Sequence, residues 1–132
     1  MSAKPLPHLR GGEALRINLV PLEHEPVPAD QAAAASTSTA VLGLGTLGDT
    51  EFGIWEMSAG SMYDVEAEEI FIVTAGQGTV VIDEFEGRPA HSALLVPGTV
   101  MRLSAGMHTT WTVTEPLRKI YFTPTENTGS NS

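Results

Sequence analysis

The stretch Glu69-Ile70-Phe71-Ile72-Val73-Thr74-Ala75-Gly76 decides the fold class. Its β-branched and aromatic residues favour a strand, and we interpret Gly76-Gln77-Gly78 as the turn that ends it. Alternate side chains of a strand point to opposite faces, so Glu69, Phe71 and Val73 share one face. Ile70 and Ile72 lie on the other face, which predicts that this strand is covered on both sides. The outer cover is either the N-terminal arm alone or a second copy of the chain, and we expect a homodimer.

The residues around this stretch repeat its pattern. Between residues 40 and 122, short apolar runs alternate with Gly, Pro or Asp breaks, and helical periodicity is absent. Many short strands at such spacing predict an all-β sandwich or barrel. The predicted strands span residues 41–47, 52–57, 70–75, 79–82, 93–96, 100–103, 110–114 and 117–123.

The segments that flank this region predict three parts of one domain. Residues 1–38 form an extended arm that packs on the body or on a partner, with a strand over 15–20 and a short helix that starts at Gln31. Residues 39–123 form the body, and the polar residues 124–132 form a disordered tail. A chain of 132 residues is the size of a single domain.

Composition excludes several classes of function. The chain has no cysteine, which rules out disulfides, thiolate zinc sites and cysteine nucleophiles. Its net charge is −9, and no Lys or Arg lies between Arg16 and Arg88. Such a surface repels phosphate, so we expect neither nucleic acid nor a membrane as a partner. No apolar run suits a spanning helix and no secretory signal is seen, so we expect a cytoplasmic protein.

Three short motifs carry a resemblance to a known family. They are Gly53-Ile54-Trp55-Glu56, then Glu69 with Gly76, then Trp111-Thr112-Val113-Thr114-Glu115 with Lys119-Ile120-Tyr121. Over residues 40–123 the chain resembles small single-domain cupins of the (S)-ureidoglycine aminohydrolase and ethanolamine-utilisation protein Q type. The resemblance implies a cupin (RmlC-like) jelly-roll β-barrel with an extended arm, homodimers, and a pocket at one mouth of the barrel.

The resemblance also implies a metal site that this sequence largely lacks. Cupins bind iron, manganese or zinc through three histidines and one glutamate, and only Glu69 matches. Thr109 stands at the histidine position of the second motif. Counting back from Glu69, whose position the spacing to Gly76 supports, places the first-motif histidines near Tyr63 and Val65, which we prefer. Counting forward from Gly60 places them at Glu66 and Glu68. No cofactor is therefore favoured, and the candidate ligands for Mn, Fe or Zn are Glu66, Glu69 and His108.

The remaining candidates describe a pocket without metal. Glu69, desolvated among aromatic rings, is a candidate general acid or base, assisted by Tyr63 and Lys119. A bland alternative is that Glu69 and Lys119 only neutralise each other. The candidate ligand-binding residues are Trp55, Phe71, Thr109, Trp111 and Tyr121.

We expect a cupin that binds a small polar metabolite, and enzymatic activity stays open. One alternative is a metal-dependent enzyme acting on a small amide, amine or carbonyl compound. Another is a non-catalytic sensor or accessory protein. No sequence argument selects the ligand, because one fold hosts many functions.

Overall fold

The computed structural model describes residues 9–33 and 36–125. Within these residues the chain forms one 3₁₀ helix and eight strands, all paired antiparallel. The helix is Ile17–Leu19, and the strands are β1 (Glu25–Pro26), β2 (Ser38–Leu47), β3 (Thr50–Met57), β4 (Gly60–Val65), β5 (Glu69–Ile82), β6 (His91–Leu95), β7 (Val100–Leu103) and β8 (His108–Pro124). The all-β prediction is confirmed.

Strand β8 is the centre of the sheet. The strand order is β1-β2-β3-β8-β5-β6, while β4 pairs with β8 and β7 with β5. Among the described residues, these strand pairings do not close the sheet into a barrel. The inner faces of β5 and β8 supply the core, where Phe71 and Leu117 are fully buried and Trp111 is 2% exposed. The inward positions predicted for Phe71, Val73, Thr109, Trp111 and Val113 are confirmed.

The predicted turn at residues 76–78 is wrong, because β5 continues through it to Ile82. Its pairing with β8 becomes irregular between Val73 and Gly78 instead. A Cβ on Gly76 would lie 1.9 Å from the carbonyl oxygen of Pro116. The glycine therefore marks a close approach of two strands and not a hairpin. The predicted break at Pro116 likewise lies inside β8.

The predicted strand over residues 15–20 is also wrong. The 3₁₀ helix replaces it, and the side chain of Leu19 is 71% exposed. Arg118 and Thr74 hold the arm. Nη1 of Arg118 donates to the carbonyls of Ile17 at 2.6 Å and Val20 at 2.8 Å, and the Asn18 side chain exchanges hydrogen bonds with Thr74 at 3.0 and 2.7 Å. Polar contacts hold this segment, and it does not pair with a sheet. Such contacts leave no hydrophobic pattern in the sequence.

The remaining predictions for the arm and the tail concern segments that the structure describes only in part. In place of the predicted helix at Gln31, residues 31–33 form a turn with one bridge between Ala32 and Met62. Residues 34–35 lie outside the described residues, as do 1–8 and 126–132 of the predicted arm and tail. Pro124 belongs to β8 rather than to a tail. No helix in the described part of the chain has the length and apolar character needed to cross a membrane.

Candidate functional site

A cavity of about 200 Å³ lies against the inner faces of β3, β5 and β8. The chain from Asp64 to Glu69, at the β4–β5 connection, forms another wall. The lining residues are Val41, Trp55, Asp64, Glu66, Ala67, Glu69, Trp111, Lys119, Tyr121 and Thr123. Aromatic rings and carboxyl groups thus share one small space, which is the composition expected of a small-molecule site. The structure brings together six of the predicted site residues here, namely Trp55, Glu66, Glu69, Trp111, Lys119 and Tyr121.

Lys119 supplies the cavity's cation. Strand register places it opposite Trp55 on β3, and its side chain is only 5% exposed. Its Nζ donates to Oε2 of Glu69 at 2.7 Å. The same Nζ lies 4.1 Å from the ring centroid of Phe71, 4.6 Å from Trp55 and 4.8 Å from Trp111. Ring faces attract a cation, so three rings and one carboxylate together hold this ammonium in the interior.

Glu66 is the most deeply buried carboxyl group of the cavity. It is 7% exposed, and its Oε2 accepts hydrogen bonds from Thr109 Oγ1 at 2.6 Å and from Trp111 Nε1 at 3.0 Å. Burial raises the pKa of Glu66, and the neighbouring charge of Asp64 raises it further against the opposing hydrogen bonds. Its Oε1 makes no hydrogen bond to any described residue.

Asp64 supplies a third carboxyl group from the end of β4. Its Oδ1 accepts hydrogen bonds from Gln31 Nε2 and from the Val65 amide, both at 2.9 Å. Burial also raises the pKa of Asp64. On the opposite wall, burial raises the pKa of Tyr121, so its phenol stays protonated at neutral pH and can donate a hydrogen bond.

Tyr63 and Val65 do not reach the cavity, which corrects the predicted register. Their side chains are 51% and 57% exposed and face an outer groove of about 570 Å³. The reason is that β4 pairs with β8 so that Met62 lies opposite Trp111 and Asp64 opposite Thr109, which turns the even-numbered residues inward. The outer groove is larger, but it lacks Lys119 and the two tryptophans, so we assign the site to the inner cavity.

Two other predicted ligand-binding residues support the cavity without lining it. Thr109 is buried and donates to Glu66, and Phe71 lies fully buried against the ammonium of Lys119. Asp64 lines the cavity but was not among the predicted site residues. The alternation of Met62, Asp64 and Glu66 is the signal that could have found it, but Tyr63 and Val65 compete as apolar candidates for the interior.

The donor set does not fit a cupin metal. His108 is exposed and lies in the outer groove, apart from Glu66 and Glu69. Within residues 9–33 and 36–125, no group of three or more His, Asp or Glu side chains is placed to hold a metal ion. The one carboxylate that matches the cupin ligand position, Glu69, is bound by the ammonium of Lys119 instead.

Comparison with known proteins agrees with this architecture. The EutQ protein of Clostridium difficile is 23% identical with a TM-score of 0.56, covering 76% of this chain and 80% of that one. A Rhizobium leguminosarum protein of unknown function is 21% identical with a TM-score of 0.56, covering 67% and 82%. A cupin superfamily protein of Desulfitobacterium hafniense is 11% identical with a TM-score of 0.60, covering 93% and 100%. At these identities the likeness establishes the cupin fold.

No curated protein matches the sequence. The sequence model for the EutQ-like cupin domain matches residues 44–121, more than half of the chain. These residues include strands β3 to β7 and most of β8, and with them nearly all of the cavity wall. The predicted resemblance is confirmed, and the chain belongs to the family of EutQ-like cupin domains.

Proposed function

We propose that this cupin binds a small polar molecule in the cavity beside Lys119. The observation that carries the proposal is Glu66, a buried carboxyl group with one oxygen unpaired among the described residues and a place on the cavity wall. This oxygen is open to the cavity and is not sealed in the core. A ligand that donates a hydrogen bond to a carboxylate oxygen makes one of the stronger polar contacts, so such a ligand gains affinity here. The cavity is smaller than the sites of drug-sized ligands, which favours a small metabolite.

A library of polar metabolites, scored by the rise in Tm, tests this proposal. Ala67 lines the cavity, so Ala67→Phe should fill its opening, whereas the exposed Ala59 lies outside the lining and Ala59→Phe serves as the matched control. We expect at least one compound that stabilises the wild type and Ala59→Phe but not Ala67→Phe. The proposal fails if no compound acts, or if every active compound stabilises Ala67→Phe equally.

Acid–base catalysis on the bound molecule is a second candidate. Burial raises the pKa of Glu66 above that of a free carboxyl group, and a raised pKa is typical of carboxyl groups that act as general acids or bases. Glu66 is a better candidate than Glu69, whose Oε2 is held by Lys119. Incubation of each bound compound, followed by NMR, detects turnover. A Glu66→Gln variant that binds but does not convert the compound supports catalysis, and unchanged turnover rejects Glu66. Binding without any turnover leaves a sensor or accessory role.

We also propose a homodimer in the cytoplasm. The outer face of β5 and β7 presents apolar side chains beside Arg102, and Ile70 and Val100 are 41% and 64% exposed there. A second copy of the same face would cover them. Light scattering should give twice the chain mass for the wild type and the monomer mass for Val100→Lys. A monomeric wild type contradicts the dimer.

The proposed cytoplasmic location is supported by the lack of cysteine, because a chain without disulfides does not need an oxidising compartment.

A further inference from the structure

The charges that line the cavity do not balance. Three carboxyl groups face it, from Asp64, Glu66 and Glu69, and Lys119 is the only basic residue of the wall. Lys119 forms its ion pair with Glu69. Neither Asp64 nor Glu66 forms an ion pair with a described residue. The charge of Lys119 acts on both only at longer range, and the side chains that donate hydrogen bonds to them, those of Gln31, Thr109 and Trp111, are neutral. The wall therefore has room for one more positive charge.

The protein already demonstrates how this wall holds a cation. The ammonium of Lys119 lies within 5 Å of three ring centroids, and two of those rings, Trp55 and Trp111, also line the cavity. Lys119 by itself would repel a second ammonium, but the two unpaired carboxyl groups outnumber it. An anionic ligand would face both carboxyl groups and would gain only a lysine that is already paired.

From this arrangement we infer that the ligand is a small cationic amine whose ammonium group is held by Asp64 and Glu66. The inference rests on the proposed binding function and names its ligand class. Oε1 of Glu66 accepts one ammonium hydrogen, and the carboxyl group of Asp64 accepts another. The cavity, at about 200 Å³, is below the size of sites for drug-sized ligands, so the amine is a small one, such as a short amino alcohol or diamine.

The two tryptophans make the test specific to the site. The chain has only these two, and both line the cavity, so their indole N–H signals in ¹H–¹⁵N NMR report on it directly. Three probes share a three-carbon chain and a hydroxyl group but differ in charge: 3-aminopropanol, 1,3-propanediol and 3-hydroxypropanoate. At one pH and ionic strength, we expect 3-aminopropanol to shift both indole signals saturably. The diol should bind at least tenfold more weakly, and the anion should cause no saturable shift.

Variants then locate the charge. Glu66→Gln and Asp64→Asn should each weaken 3-aminopropanol binding about tenfold, as loss of a charged hydrogen bond does. The exposed Glu115 is the matched control, and Glu115→Gln should leave binding unchanged. The rest of each NMR spectrum shows whether the variant is folded.

The outcomes separate this inference from the binding function. Tighter binding of 3-hydroxypropanoate, or equal binding of the diol, overturns the cationic ligand while the cavity remains a binding site. No saturable shift with 3-aminopropanol also overturns the inference, and the metabolite library with Ala67→Phe then decides the binding function independently. Equal affinity in the wild type, Glu66→Gln and Asp64→Asn overturns the assignment of the ammonium to these carboxyl groups.

Discussion

Replacing Lys119 with methionine should destabilise the protein by about 3 kcal/mol. The substitution keeps an unbranched apolar side chain beside the three rings but removes the charge that pairs with Glu69. Removal of one partner of a buried ion pair costs about 3–5 kcal/mol, because the other charge is left without compensation. The lower end applies here, since the Glu69 side chain is 15% exposed at the cavity and keeps some hydration. For a chain of this length the loss corresponds to a fall in Tm of about 10 °C.

Urea titration measures this loss as a shift of the midpoint at constant slope. Arg102→Met is the matched control, because Arg102 pairs with Glu68 on the surface and its side chain is 67% exposed. Its loss should cost less than about 1 kcal/mol. The double variant Lys119→Met/Glu69→Gln removes both charges and should recover most of the stability. A loss below about 1 kcal/mol in Lys119→Met, or no recovery in the double variant, would refute the argument that each charge is tolerated only because of the other.

Three further predictions test other parts of the structure. Because burial raises the folded-state pKa of Glu66, the wild type loses stability as pH rises through that value. Glu66→Gln does not titrate, so its stability relative to the wild type should increase from about pH 4 to pH 8, and a pH-independent difference contradicts this. Gly76→Ala places a Cβ 1.9 Å from a β8 carbonyl oxygen and should lower the free energy of unfolding by at least about 3 kcal/mol. Gly98 has a similar φ of 97° but no atom within 4 Å of its Cβ position, so Gly98→Ala should lower it by about 1 kcal/mol. Equal losses of stability in urea titrations argue against the close approach. Arg118→Gln removes two of the hydrogen bonds that hold the arm and leaves those between Asn18 and Thr74. Tryptic cleavage after the exposed Arg16, followed by mass spectrometry, should become about tenfold faster. An unchanged rate shows that the remaining contacts are enough to hold the arm.

The inner faces of the long strands were predictable because their pattern is local. Glu69 and Phe71 alternate with isoleucines, and Trp111 and Val113 alternate with threonines, so the side-chain period of two fixed their direction. The structure pairs Glu69 with Lys119, the contact that the sequence suggested, while the choice between a purely neutralising pair and acid–base chemistry stays a prediction. The family and the fold followed from motifs that lie on these same strands.

The position of Asp64 was not predictable in this way, because the register of β4 is set by a distant strand. Residues 62 to 65 carry apolar side chains on both faces, and burial alone does not choose between them. The choice is made by pairing with β8, about 45 residues further along the chain. The register predicted for Tyr63 and Val65 relied on a turn at Gly76, and it was wrong for a related reason. Gly76 is a glycine because it contacts β8 closely and not because it forms a turn.

The central place of β8 has a consequence for how the protein is made. Strands β3, β4 and β5 all pair with β8, which is translated after every other strand described here. During synthesis, the ribosome releases β2 to β7 before the strand that joins them exists. The nascent chain must therefore carry unpaired strand edges until residues beyond 108 emerge, and folding is expected to be slow and dominated by long-range contacts. A truncation within β8 should expose those edges to aggregation, even though the cavity's carboxyl groups all precede it in the sequence.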